Sequence, residues 1–211
     1  MAKGTVGEAR PRPGLRERRK KLTAEELEAA ALRLFGERGF DSVTVDDIAA
    51  EADVSRRTFF RYFASKEDVL LADHFVQLAR LREAMAARPL DEPIVTALRN
   101  ALLSMTGDFE DRKEMIILRG RLMRDTPSLQ ARSLVHQKLW EDAMQEMVAE
   151  RLGVDPATDL RPGVVSAATV AAMRVAFQSW LTAGATGDLI AMTAEALDLL
   201  DGGLQQVHGA G

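Results

Sequence analysis

Apolar residues recur along most of the chain at spacings of three and four, and no stretch alternates apolar and polar positions long enough for a convincing strand, so the fold class is all-α. The first apolar face runs Leu27, Ala30, Ala31, Leu34, Phe35, and Gly39 supplies the stop. Ahead of it, Thr23 and Glu26 have the spacing of a capping box, with Leu22 placed to staple onto Leu27. The basic segment from Leu15 is also built of good helix formers, and the residues leave open whether the helix starts at Thr23 or extends back through that segment.

The same start signal recurs at Val43-Thr44-Val45-Asp46-Asp47-Ile48: Thr44 is the N-cap, Asp47 the third helical residue, and Val43 stands opposite Ile48. Eleven residues on, Ser55 is an N-cap with Val54 placed against Phe59. Two short helices, Thr44 to about Glu51 and Ser55 to Phe63, are therefore joined by the turn Ala52-Asp53-Val54 and must cross steeply. Ala49 and Ala52 allow the close approach, while Ile48, Val54, Phe59 and Phe63 fill the shared core. This is helix-turn-helix geometry. At 100° per residue, Phe59, Phe63 and Phe60 fall near one face of the second helix, and Arg57, Thr58, Arg61 and Tyr62 on the other, with Arg56 able to join them. Such a face suits DNA: arginine grips guanine O6 and N7 with both arms, and Thr and Tyr hydroxyls reach phosphates. The N–H groups at the helix starts after Thr44 and Ser55 are further phosphate donors.

The remainder reads as six helices, Lys66 to about Arg88, Pro93 to Asp108, Arg112 to Arg124, Ser128 to Leu152, Pro162 to Ala185 and Asp188 to Leu204, with Gly, Pro and Asp between them. The segment Val164 to Leu181 is apolar on most sides, and the last helix carries a Leu189, Met192, Thr193, Ala196, Leu197, Leu200 stripe. A helix apolar nearly all round needs neighbours on several sides, which in a subunit of this size suggests a dimer partner.

Composition refines this picture. The 211 residues contain no cysteine, which excludes a disulfide framework, a thiol nucleophile and a Cys-ligated metal, and fits a reducing cytosol. The net charge of −4 conceals a division: residues 1–66 hold 14 Lys/Arg against 11 Asp/Glu, and residues 67–211 hold 14 against 21. Most of the positive excess lies in residues 1–21, a basic arm with no apolar stretch of the kind a secretory signal carries. The apolar run Val164 to Ala183 is broken by Ser166, Arg174, Gln178 and Ser179, against a lipid-exposed span. A cytoplasmic location without membrane contact is expected.

Residues from about Leu27 to Asp68 resemble the DNA-binding domain of the TetR family of bacterial repressors. The resemblance rests on Ala30-Ala31-x-x-Leu34-Phe35-x-x-x-Gly39-Phe40, Val43-Thr44-Val45-x-x-Ile48-Ala49-x-x-Ala52-Asp53-Val54-Ser55, and Arg57-Thr58-Phe59-Phe60-x-Tyr62-Phe63-x-Ser65-Lys66-Glu67. It implies a basic arm at 1–22, a three-helix helix-turn-helix domain at 23–66, and a helical ligand-binding and dimerisation domain at 67–211, about nine helices in all. It makes Thr44, Tyr62 and Lys66 phosphate contacts, and Arg56, Arg57, Thr58 and Arg61 the groove-facing set. The family usually has Tyr at the position of Phe60, so a hydroxyl contact is missing there and Tyr62 takes more of that role. An arm ahead of this domain would lie near the adjacent minor groove or phosphates, which brings in Arg16, Arg18 and Arg19. The partners implied are double-stranded operator DNA, a second copy of the chain through a four-helix bundle of the last two helices, and a small-molecule effector.

The stretch Leu118-Arg119-Gly120-Arg121-Leu122-Met123-x-Asp125-Thr126-Pro127-x-Leu129-x-Ala131-Arg132 is similar to an actinobacterial branch of the family with acyl-CoA-like ligand-binding domains. Met and aromatic residues suit an adaptable apolar cavity, so Phe75, Met105, Phe109, Met115, Met123, His136, Trp140, Met144, Met173 and Phe177 are candidate lining for an acyl-CoA-like or other hydrophobic ligand. For each of them plain core is the first reading and cavity lining the second. There is no glycine-rich phosphate loop, no Gly-x-Ser-x-Gly elbow and no His-Glu-x-x-His helix, and the three histidines are dispersed. The expectation is a ligand-responsive regulator, most simply a repressor released by its effector, with no enzymatic activity, cofactor or metal. The alternative is a helical small-molecule-binding protein or enzyme with an incidental helix-turn-helix.

Overall fold

The structure, a computed structural model, describes residues 15–202, without the side chains of residues 15–22 and 72–75. The part of the basic arm before Leu15 and the tail after Gly202 lie outside the described residues, as do the side chains of Arg16, Arg18, Arg19 and Phe75, while the backbone of the arm from Leu15 on is helical. The described residues form helices joined by turns, and the chain divides into two compact units, Met1–Val69 and Leu70–Gly211.

In the first unit, helix α1 spans Leu15–Arg38, so Thr23 lies inside a helix and does not begin one. Leu, Arg, Lys and Glu favour helix, and no Pro or Gly interrupts the stretch between Gly14 and Gly36. Gly39, at φ +79°, ends α1 with its N–H on the Phe35 carbonyl. Helices α2 (Val45–Glu51), α3 (Arg56–Tyr62) and the single turn α4 (Lys66–Val69) follow. Their shared core is Leu27, Ala31, Leu34 and Phe35 of α1, Val43 before α2, Ile48 and Ala49 of α2, and Phe59 of α3, all nearly or fully buried. Ion pairing of Arg33 with Glu51 (2.6 Å) adds a surface tie between α1 and α2.

The second unit contains α5 (Ala72–Ala86), α6 (Ile94–Ser104), a 3₁₀ turn (Thr106–Asp108), α7 (Phe109–Asp125), α8 (Pro127–Leu152), α9 (Leu160–Thr182) and α10 (Leu189–Asp201). The helix expected from Lys66 to about Arg88 is thus two helices, broken at Leu70 and Leu71. Val69, Leu70 and Leu71 are all fully buried, whereas a straight helix would spread three successive side chains over about 200° of its circumference. The main core joins Leu81 and Met85 of α5, Leu98 and Leu102 of α6, Met144, Met147 and Val148 of α8, and Leu197 of α10. A second core surrounds the fully buried Trp180, whose indole N–H donates to the Gly187 carbonyl at 3.2 Å. Helix α9 is, among the described residues, the one helix long and apolar enough to cross a membrane, and in this unit it packs against both α8 and α10.

Two polar clamps hold the bundle's ends. Arg99 of α6 forms a two-armed pair with Asp198 of α10, and Thr96 donates to Asp201 at 3.1 Å. Arg151 of α8 donates to the carbonyls of Arg88, Pro89 and Glu92 in the α5–α6 turn. The Glu92 carboxylate accepts from Arg88 and Asn100, and the Arg88 guanidinium chiefly holds its pKa below the usual carboxylate range.

Candidate DNA interface and ligand cavity

The helix-turn-helix is built from local hydrogen bonds at each of its corners. Thr44 caps α2: its side-chain oxygen accepts from the Asp47 N–H at 3.2 Å, and the Thr44 N–H donates to the Asp47 carboxylate at 2.8 Å. The Asp47 carboxylate accepts from the Thr44 hydroxyl as well, and that bond first, then the one from the Thr44 backbone, lowers its pKa from the ordinary 3.8. At the other end of α2, the Val54 N–H reaches the Ala49 carbonyl (2.9 Å) and the Asp53 N–H the Ala50 carbonyl (3.1 Å). That pair is a Schellman motif, and it needs a left-handed residue. Asp53 takes that place at φ +52°, where an aspartate is better tolerated than most non-glycine residues. Ser55 then caps α3, accepting from the Thr58 N–H at 3.1 Å.

These corners aim α3. Phe59 is fully buried and Phe63 nearly so, their rings 5.7 Å apart, and both belong to the core as expected. Phe60, expected on the same inner face, instead lies 46% exposed and meets Phe59 edge-on at 5.5 Å. One residue of helix is a 100° rotation, so burying 59 and 63 forces 60 outward. The Arg56 guanidinium stands over the Phe60 ring at 5.4 Å and bonds the Asp46 carboxylate of α2 at 2.7 Å. Asp46 gave no sequence signal as a partner, because the pairing crosses between two helices.

Arg57 and Arg61 are exposed, Thr58 and Tyr62 half-exposed, and the Arg61 guanidinium lies over the Tyr62 ring at 5.1 Å. The Thr58 hydroxyl sits 3.0 Å from that of Ser55. Two expected phosphate contacts are otherwise engaged. The Thr44 hydroxyl donates to the Asp47 carboxylate. The Lys66 ammonium donates to the carbonyls of Phe40 (2.8 Å) and Val43 (2.9 Å) and lies 4.4 Å from the centre of the Phe40 ring. It ties α4 to the α1–α2 turn, whose carbonyls would otherwise lack helical partners.

In the second unit, a cavity of about 650 Å³ opens among α7, α8 and α9. Met123, Trp140, Met173 and Phe177, four of the expected residues, line it together with Gly120, Val170 and Leu181. Its polar lining was missed: Arg124 of α7, Gln130, Ser133 and Gln137 of α8, and Arg174, Gln178 and Thr182 of α9. Their only sequence signal is a shared spacing: Gln130, Ser133, Gln137 and Trp140 form one stripe on α8, and Val170, Arg174, Phe177 and Leu181 another on α9. Gly120 has a steric reason. A Cβ there would lie 2.6 Å from Leu181 Cδ1 and 2.7 Å from Phe177 Cζ, so α7 reaches α9 this closely only through glycine.

A smaller cavity of about 290 Å³ is lined by Met105 and Phe109, again as expected, with Gln77 of α5, Leu102, Ile116, Leu189 and Thr193 among others. Trp140 and Met173 line both cavities. Three expected lining residues face neither. Met144 is fully buried core, one turn past Trp140 on the same stripe but beyond the cavity. Met115 and His136 are half-exposed and sit one position off the stripes that line the cavities; the Arg119 guanidinium lies 3.9 Å from the Met115 sulfur.

A capped helix-turn-helix with a donor-rich exposed face, followed by a helical unit with open cavities among its helices, defines a ligand-binding transcriptional regulator, and sequence comparison gives the family. Residues 27–72 match the family described as bacterial regulatory proteins, tetR family, and residues 92–205 match the MftR C-terminal domain. The chain is similar to the HTH-type transcriptional regulator TcmR of Streptomyces glaucescens, 33% identical over 90% of this chain and 86% of that protein. It is similar also to the putative mycofactocin biosynthesis transcriptional regulator MftR of Mycobacterium tuberculosis, 32% identical over 90% of this chain and 96% of that protein. Among solved structures, the Thermus thermophilus FadR complex with lauroyl-CoA superposes with a TM-score of 0.56 at 25% identity, covering 89% of this chain and 98% of that one. The triclosan complex of SmeT, from Stenotrophomonas maltophilia, gives 0.60 at 20% identity over 84% and 89% of the two chains, a likeness of fold. The chain belongs to the TetR family of transcriptional regulators.

Proposed function

We propose that the chain is a homodimeric, cytoplasmic repressor, not an enzyme, that reads operator DNA with α3 and leaves it when an amphipathic effector enters the cavity of the second unit. The observation that carries the DNA reading is the exposed face of α3, where Arg57 and Arg61 stand beside Thr58 and Tyr62 while Phe59 anchors the helix from behind. Arg57 and Arg61 reach base edges; Tyr62, Thr58 and the Ser55 cap meet phosphate. Arg56 serves first to neutralise Asp46, a carboxylate that would otherwise repel the phosphates. With the hydroxyl of Thr44 and the ammonium of Lys66 already engaged, these two position the interface, and the α2 N-terminus offers its backbone N–H groups instead.

The effector reading is supported by the cavity's make-up, in which Met, aromatic and aliphatic side chains share the lining with amide, hydroxyl and guanidinium groups. FadR of Thermus thermophilus was solved with lauroyl-CoA, which favours an acyl or similarly amphipathic effector here. The dimer reading is supported by α9, where Leu160 (84% exposed), Val164 (64%) and Val175 (52%) lie along one outward stripe, and by Leu199 of α10. Large apolar side chains aligned in this way on two neighbouring helices suit an isologous four-helix interface.

Fluorescence anisotropy against fragments of the protein's own upstream region tests the DNA reading. A fragment should be bound in preference to random DNA at moderate salt; no preference would leave the helix-turn-helix incidental, and the alternative of a helical binding protein or enzyme would stand. Arg57→Ala should relax base preference, and Lys66→Ala should weaken every sequence alike through a loosened α4.

A further inference from the structure

The two cavities of the second unit differ in what they touch. Every residue lining the larger one belongs to α7, α8 or α9. The smaller one is lined in addition by Gln77 of α5 and by Thr106 and Asp108 of the 3₁₀ turn, and Asp108 is paired with Arg80 of α5 at 3.0 Å. Helix α5 is the part of this unit nearest in sequence to the helix-turn-helix: only Leu70 and Leu71 separate it from α4. A molecule in the larger cavity alone thus has no contact with α5, whereas one in the smaller cavity meets it at Gln77.

Size and charge say what could reach both. Ligand pockets for drug-sized molecules run from about 300 to 1,000 Å³. The larger cavity, at about 650 Å³, fits that range, and the smaller, at about 290 Å³, falls at its foot and suits an extension of a ligand rather than a whole one. The larger lining holds two guanidinium groups and no carboxylate. Arg124 is paired with Asp125 at 2.7 Å, whereas among the described residues Arg174 bonds the neutral Gln178, at 3.3 Å, and pairs with no carboxylate, leaving a positive charge in the cavity lining. Trp140 of α8 and Met173 of α9 line both cavities, and a methionine, with three rotatable side-chain bonds, is easily displaced.

Building on the effector reading above, we propose that the two cavities are two compartments of one site divided by Trp140 and Met173: the larger binds the anionic head and first part of an elongated amphipathic ligand, and only a tail passing Met173 into the smaller compartment signals to α5 and releases DNA. Met173 is then a specificity-determining residue. It separates ligands that bind from ligands that induce.

The test uses straight-chain carboxylates, with octanoate as the short probe and hexadecanoate as the long one. Binding is read by quenching of the tryptophans, since Trp140 lines both compartments and Trp180 lies beside the larger. DNA release is read by anisotropy on the preferred upstream fragment. Saturating octanoate should quench yet leave DNA affinity within about twofold, whereas hexadecanoate should lower it roughly tenfold or more, within the usual range of allosteric coupling. Met173→Phe narrows the passage, and Thr193→Phe fills the smaller compartment from α10 without touching the larger lining. Either variant, provided its circular dichroism melt matches the parent's, should still bind hexadecanoate but release DNA at most about twofold. If saturating octanoate releases DNA as well as hexadecanoate, or both well-folded variants still respond in full, the division into compartments is wrong while the effector reading stands. If neither acid quenches, the ligand class is wrong, and this inference falls with it. A protein that shows no DNA preference with no acid present fails the regulator reading instead, which the same titration reports at its first point.

Discussion

The two units solve opposite problems with the same kind of element. In the first, α2 and α3 are only seven residues each, too short to hold a direction by propensity, and their orientation comes from hydrogen bonds at the corners: the Thr44 and Asp47 box, the Schellman turn through Asp53, and the Ser55 cap. In the second, α8 and α9 run for 26 and 23 residues, and together with the neighbouring helices of the unit they leave two cavities. A DNA reader must present a few donors at fixed spacing, so its core is filled and its turns over-determined. An effector site must admit a guest, so its helices are long enough to remain ordered around a void. The comparison also separates two kinds of glycine. Gly39 is needed for its backbone angle, and Gly120 for the absence of a side chain at a helix crossing.

Replacing Phe59 by Ala should break the contrast most severely. The ring is fully buried at the centre of a small core, where truncation costs about 3–5 kcal/mol. We expect DNA binding to be lost and part of the helical circular dichroism to melt early, while fluorescence of Trp140 and Trp180, both in the second unit, reports an unchanged transition. A simultaneous shift of the tryptophan transition would show that the two units do not unfold independently. A smaller effect is expected from Gly120→Val. Its Cβ and branches would collide with Leu181 and Phe177, and overpacking of this kind costs about 1–3 kcal/mol. Here the tryptophan-monitored midpoint in urea should fall while DNA affinity without ligand holds.

The smallest expected effect sharpens the account of the corners. Thr44→Ala removes the α2 cap and should cost about 1 kcal/mol, in the range for such substitutions. The parent's cap also carries a pH signature. Because the folded-state pKa of Asp47 is lowered, its contribution is present above the ordinary value of 3.8 and disappears as pH falls from there through the depressed value. The difference in stability between parent and Thr44→Ala should therefore narrow below about pH 4; a difference independent of pH would assign the cap's effect to the bond that the Thr44 oxygen accepts from the Asp47 N–H. Asp159, the N-cap of α9, has a pKa lowered to about 2 by Arg161 and loses its contribution in the same acid direction, so Thr44→Ala is compared with its parent to cancel that background.

What the amino-acid sequence determined by itself is whatever depends on neighbours within one or two helical turns. The caps at Thr44 and Ser55, the turn at Asp53, the anchoring of Phe59 and Phe63, and the exposure of Arg57 and Arg61 were legible because i, i+3 and i+4 relations settle them. Tertiary structure decided the rest. Phe60 turned outward once its neighbours were buried, Arg56 found Asp46 across a helix crossing, and Lys66 found carbonyls more than twenty residues away. The larger cavity gathers Arg124, Gln137 and Arg174 from three helices, and no local spacing could have united them. A cavity is where packing stops, and only the assembled helices fix where that occurs.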